Sequence, residues 1–140
     1  EQPGAIADTL EGRIAGGRVL SGIFGVDARE LLANTRHVHF VACGSSYHAA
    51  LIARYWIESL ARIPVTVEIA SEYRYREPVV PAGSLLVTVS QSGETADTLA
   101  ALRMAKGLGY HAELAICNVP ESSLVRESRL VLMTRAGPEI

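Results

Sequence analysis

Five short apolar runs, spaced by segments of helical or turn character, constrain this chain more than any other feature. The runs at His37–Ala42, Val65–Ile69, Leu85–Val89, Ala112–Cys117 and Leu130–Thr134 are strand-length and apolar on both faces. Between them lie a long helix from about Tyr47 to Arg62, a short segment from Ser71 to Arg76, a helix from Ala96 to Leu108 and a helical turn at Ser123–Glu127. Strands that bury both faces and alternate with helices belong in a parallel sheet covered on each side. Right-handed crossovers then predict an α/β fold. It is a three-layer, doubly wound, five-stranded parallel sheet with the flavodoxin-like order 2-1-3-4-5.

Ahead of the sheet, residues 1–34 read as a helical lead-in. A first helix starts near Pro3 and carries Ala5, Ile6, Leu10 and Ile14; a loop through Gly22 and Gly25 follows; Asp27 caps a second helix ending near Asn34. Residues 35–140 form the sheet domain. On the long helix, Ala49, Ile52, Ala53, Trp56, Leu60 and Ile63 recur at helical spacing and predict the face turned to the core.

Two of the strand-to-helix turns are rich in hydroxyls. Ser90-Gln91-Ser92-Gly93-Glu94-Thr95 follows the third strand, and Cys43-Gly44-Ser45-Ser46 follows the first. A helix start carries free N–H groups and a partial positive charge, so an anion can sit there without lysine or arginine. Serine and threonine hydroxyls and the Gln91 amide add donors, while Gly44 and Gly93 let the backbone come close. Such residues also serve as ordinary caps and turns. Two observations favour a ligand: the hydroxyls outnumber the needs of a cap, and strand order 2-1-3-4-5 puts both turns beside the topological switch point. The site they predict is for a small phosphorylated molecule.

Composition narrows the class. A formal net charge of −2 gives no electrostatic footprint for nucleic acid. The apolar runs fall far short of the roughly 20 residues that cross a bilayer, so no membrane partner is expected. No signal peptide is visible at Glu1, and Cys43 and Cys117 read as buried thiols, which together predict a cytoplasmic protein. Neither a phosphate-binding G-x-x-x-x-G-K nor a dinucleotide G-x-G-x-x-G occurs after a strand, and no cofactor is predicted.

Several longer segments carry a resemblance. Cys43-Gly44-Ser45-Ser46-Tyr47-His48, Val67 to Arg74, Ser90 to Thr98, Ala115 to Asn118 and Ala136 to Ile140 resemble segments of the glutamine–fructose-6-phosphate aminotransferase family. The likeness covers the whole chain and implies the first of two sugar isomerase (SIS) domains. By that resemblance Ser90, Gln91, Ser92 and Thr95 would hold the phosphate of fructose 6-phosphate, or of the product glucosamine 6-phosphate. Ser45 and Ser46 would contact phosphate or sugar, with Gly44 and Gly93 as supporting backbone and Glu139 as a further candidate. Ser45 stands where the family often has threonine, and the hydroxyl is kept. The family's glutaminase domain, its second SIS domain and the lysine, glutamate and histidine of its chemistry have no counterpart here. The resemblance therefore implies a piece of a longer, homodimeric enzyme, truncated at its C-terminal end. It would hold a substrate half-site, with no catalytic residue and no metal of its own.

Other residues invite function. Cys43 with His48 would make a nucleophile and base, but no third group orients them, and a structural thiol is the expectation. His37 and His39 share a strand face without a third ligand, which argues against a metal. Glu94 at a helix start reads as structural, with its carboxylate turned from the phosphate. Arg74 and Arg76 read as a solvated face or subunit contact, and Ser122 and Ser123 as caps of the last short helix. Two other functions remain open on the sequence: a sugar-phosphate sensor of a regulator, and a single-domain sugar-phosphate isomerase.

Overall fold

The computed structural model describes residues 1–138. Helix α1 (Gln2–Leu10) leads into a hairpin of β1 (Ile14–Ala15) and β2 (Arg18–Val19), then a 3-10 turn (Ser21–Phe24) and α2 (Ala28–Ala33). The main sheet follows as β3 (His37–Ala42), α3 (Gly44–Leu60), β4 (Val65–Ile69), α4 (Ala70–Tyr73), β5 (Ser84–Ser90), α5 (Ala96–Ala105), β6 (Ala112–Cys117), α6 (Ser123–Glu127) and β7 (Leu130–Met133). Its strands are all parallel, in the order β4-β3-β5-β6-β7. Counted within the sheet this is 2-1-3-4-5, the predicted doubly wound arrangement.

The two-residue period of the strands divides the core into two halves. Val38, Phe40, Leu85, Val87, Ala112 and Leu114 face Ala28 of α2 and Ala50 of α3. Val41, Leu86 and Ala115 face the other way, against Tyr73, Leu99, Leu102 and Leu124 of α4, α5 and α6. Leu86, Leu102 and Leu124 are fully buried, and each such side chain contributes roughly 1.5–3 kcal/mol by leaving water. Phe24, Leu31 and Leu32 pack on the first half, so the end of the lead-in shares the domain core. No helix among the described residues is long and apolar enough to cross a membrane.

Four local expectations are corrected. The first helix stops at Leu10, and Ile14 pairs with Val19 in a hairpin turning at Gly16-Gly17. Helix α3 starts at Gly44 rather than Tyr47, so Ser45 and Ser46 lie in its first turn. Its inward row is Ala50, Ala53 and Ile57. Ile52, Trp56 and Leu60 point outward at 56%, 65% and 84% exposure. This helix carries apolar residues on nearly every row, and the sheet takes the row whose alanines allow the closest approach. Finally, Asp27 makes no side-chain cap on α2 and instead pairs with Arg129 at 2.9 Å.

Candidate functional site

Helices α3 and α5 both start at the carboxyl edge of adjacent strands, β3 and β5, and their N-termini converge on one cleft of about 240 Å³. Neither start has a side-chain cap. The first helical bonds run from Tyr47 N to Cys43 O and from Leu99 N to Thr95 O. The amides of the three residues before each are thus left without a helical acceptor. Gly44 holds φ at +57°, a left-handed conformation that glycine adopts without strain, and this lets the chain bend from β3 into α3.

Ser45, Ser46, Ser90, Gln91, Ser92 and Thr95 all line this cleft, as do Gly44 and Cys43. Gly93 does not; it is buried behind the turn at φ +68°. A β-carbon there would stand 2.6 Å from Ser122 Cβ and 2.8 Å from Cys117 Sγ. The glycine therefore serves the packing of the turn on the 118–122 loop. Glu139 lies outside the described residues.

The hydroxyls divide by task. Ser90 Oγ accepts the Gly93 N–H at 3.1 Å and lies 3.1 Å from Thr95 Oγ1, so Ser90 shapes the turn and one proton of the pair stays free. Ser92 Oγ accepts the Glu94 N–H at 3.2 Å and keeps its proton to donate. The hydroxyls of Ser45 and Ser46 and the side-chain amide of Gln91 are likewise uncommitted among the described residues. With no charged side chain on the lining among the described residues, the cleft offers neutral donors and two positive helix ends. Asp97, in the first turn of α5, would repel an anion; Arg74 Nη1 sits 2.6 Å from its Oδ1 and offsets that charge. A larger cleft of about 620 Å³ adjoins at Gln91; Arg135 is on its lining, but Val119, Pro120 and Met133 make much of its wall apolar. Anion chemistry fits the smaller one.

The turn is fastened from behind. Glu94 Oε1 accepts the Ser123 N–H at 2.6 Å, Leu124 N donates to Gly93 O at 3.1 Å, and Asn118 N donates to Gln91 O at 3.2 Å. The Ser123 backbone amide, then its hydroxyl, holds the Glu94 carboxyl below its ordinary pKa. Glu94 thus points away from the cleft and supplies the cap of α6. Ser122, the predicted cap, makes no such bond; its Oγ lies 3.5 Å from Cys117 Sγ. Asn118 also accepts the Ala136 N–H at 2.8 Å and donates to Gly137 O at 2.7 Å, tying the strand-β7 exit to the same loop.

The remaining candidates are structural. His48 is exposed and packs edge-on to Tyr47, and among the described residues no hydrogen bond joins it to Cys43. His37 bonds Ser84 Oγ at 2.9 Å and Thr66 Oγ1 at 2.8 Å. His39 accepts from the Tyr110 hydroxyl at 2.7 Å and contacts Glu68 Oε2 at 2.6 Å, while Arg76 grips the same carboxylate through two nitrogens. His37 is thus hydrogen-bonded through both ring nitrogens, and His39 through Nδ1, with its Nε2 at ion-pair distance from Glu68. Burial lowers the pKa of His39 against the pull of Glu68. Burial would raise Glu68, but Arg76 and then His39 hold it below its ordinary value.

Comparisons place this geometry. The family model described as SIS domain matches residues 31–140. The chain is 62% identical over its whole length to glutamine–fructose-6-phosphate aminotransferase (isomerizing) of Pseudomonas syringae pathovar tomato, and 60% identical to that of Escherichia coli K12. It spans 23% of the length of each of these curated relatives. A solved C-terminal domain of glucosamine-fructose-6-phosphate aminotransferase from Francisella tularensis superposes with a TM-score of 0.96 at 53% identity, covering 100% of this chain and 39% of that one.

Proposed function

We propose, for a chain that belongs to the SIS domain family, that its cleft is the phosphate-binding half of a fructose 6-phosphate site. In this reading the domain serves a longer enzyme that moves glutamine-derived nitrogen onto fructose 6-phosphate and isomerises the product to glucosamine 6-phosphate. The observation that carries it is the convergence of α3 and α5 on one cleft walled by Ser45, Ser46 and the 90–95 turn.

The domain's part is to hold. Phosphate oxygens accept from Ser92, Ser45 and Ser46, from Gln91 and from the free amides at both helix starts. Fixing the phosphate sets the distance to the reacting carbons, and such positioning supplies up to roughly 7–11 kcal/mol in favourable systems. The acid, base and amine-binding groups come from elsewhere in this reading, since among the described residues the cleft lining offers no carboxylate or imidazole. That lining also disfavours an isomerase complete in this chain. A second SIS domain, a glutaminase domain and a second enzyme copy are the partners this reading assigns, in a cytoplasmic setting. Ile52, Tyr55, Trp56 and Leu60 are exposed apolar surface along α3 for the neighbouring SIS domain to cover.

Calorimetric titration with fructose 6-phosphate, against unphosphorylated fructose, tests the reading. Saturable heat with the phosphorylated sugar alone supports it. Equal behaviour of the two sugars would refute it.

A further inference from the structure

Thr98 is the third residue of α5 and 1% exposed, and it lines the cleft beside Ser90 and Thr95. Its Oγ1 is shut from water and has no hydrogen-bond partner among the described residues. Other buried hydroxyls of this chain are paired: Thr35 with Leu31 O, Ser84 with Pro81 O and Ser90 with Gly93 N. Thr88 is the comparable exception, buried at 0% in the middle of β5 between Val41 and Ala115. Thr88 does not line the cleft.

A buried hydroxyl without a partner destabilises the fold, and valine would fill the same volume without that cost. Thr98 differs from Thr88 in having a ligand cleft against it. The backbone N–H of Thr98 is also one of the three α5 amides without a helical acceptor. An unpartnered hydroxyl and an unpartnered amide thus belong to one residue of the cleft lining.

We propose that Thr98 is a further ligand-contacting residue, whose hydroxyl donates to the phosphoryl group of the bound sugar phosphate. This rests on the cleft being the sugar-phosphate site. The unliganded chain carries an unsatisfied hydroxyl that the ligand satisfies, so Thr98 trades stability for affinity.

The test uses this chain with fructose 6-phosphate as probe, reading Kd by calorimetry and Tm by thermal melting for Thr98→Val, Thr98→Ser and Thr88→Val. Thr98→Val is expected to bind about tenfold or more weakly, the loss of one hydrogen bond to a charged group, with a Tm equal to or above wild type. Thr98→Ser restores the affinity. Thr88→Val raises Tm and leaves Kd unchanged. Wild-type binding with Thr98→Val within twofold of it overturns the assignment of Thr98 while leaving the cleft intact. So does weaker binding accompanied by a matching fall in Tm that Thr98→Ser fails to restore. Absence of wild-type binding overturns the cleft reading itself, and Thr98 with it.

Discussion

The carboxylate of Glu94 accepts the backbone N–H of Ser123 at 2.6 Å, and that bond fastens the 90–95 turn to the start of α6. One residue of the hydroxyl turn therefore serves the helix behind it. Glu94→Ala is expected to lower Tm and to weaken fructose 6-phosphate binding together, because the turn loses an anchor. Glu94→Gln keeps an acceptor and should retain most of both. Melting and titration of the two variants check this; loss of affinity in Glu94→Ala with unchanged Tm would speak for a direct ligand role instead.

Gly93 leaves no room for a side chain. Alanine there meets a left-handed φ of +68° and overlaps Ser122 and Cys117. The first costs roughly 1–2 kcal/mol and the second about 1–3 kcal/mol. Urea denaturation of Gly93→Ala should show a loss of about 2–5 kcal/mol. Adding Ser122→Gly removes the main overlap and should recover part of the loss; no recovery would place the cost in the backbone alone.

Ser92 and Ser90 should separate binding from folding. Ser92→Ala removes a free donor and is expected to weaken fructose 6-phosphate binding by roughly ten- to a hundredfold, with Tm little changed. Ser90→Ala strands the buried Gly93 N–H and should lower stability by about 1–3 kcal/mol. Reversed outcomes would exchange the roles assigned here.

Acid should loosen the fold. Burial lowers the pKa of His37, His39 and His111 from the ordinary 6.5. The unfolded chain then takes up protons first as pH falls. The stability these rings carry is whole above about pH 6.5 and is lost as pH drops through their folded values. Tm should hold steady from about pH 8 to 7 and decline toward pH 5, less steeply in His39→Gln. A Tm that rises on acidification would contradict the burial of these groups as neutral rings.

Much of the fold was legible because strand-length apolar runs and parallel crossovers leave few topologies. His37–Ala42, Val65–Ile69 and Ala112–Cys117 have the bounds their composition predicts. The inward row of α3 was not legible, since Ile52, Trp56 and Leu60 mimic a core face and only packing against the sheet selects Ala50, Ala53 and Ile57. Ile14 was hidden in the same way: apolar spacing extended the first helix, although Gly16-Gly17 signals a hairpin. The hydroxyls of both turns could be read from their place between strand and helix. Thr98 could not, because a threonine inside a helix carries no signal until its burial and missing partner are seen. Nor could the cap from Glu94, which joins residues that only the fold brings together.

The central claim is that the two hydroxyl turns form one phosphate-dependent sugar site. Amide chemical-shift mapping of this chain during titration with fructose 6-phosphate tests it most directly, with unphosphorylated fructose alongside. Saturable shifts at Ser45, Ser46 and Ser90–Thr95 that share a single Kd and vanish with unphosphorylated fructose are expected. Shifts confined to one turn, shifts elsewhere, or no saturable change at millimolar sugar phosphate would contradict it.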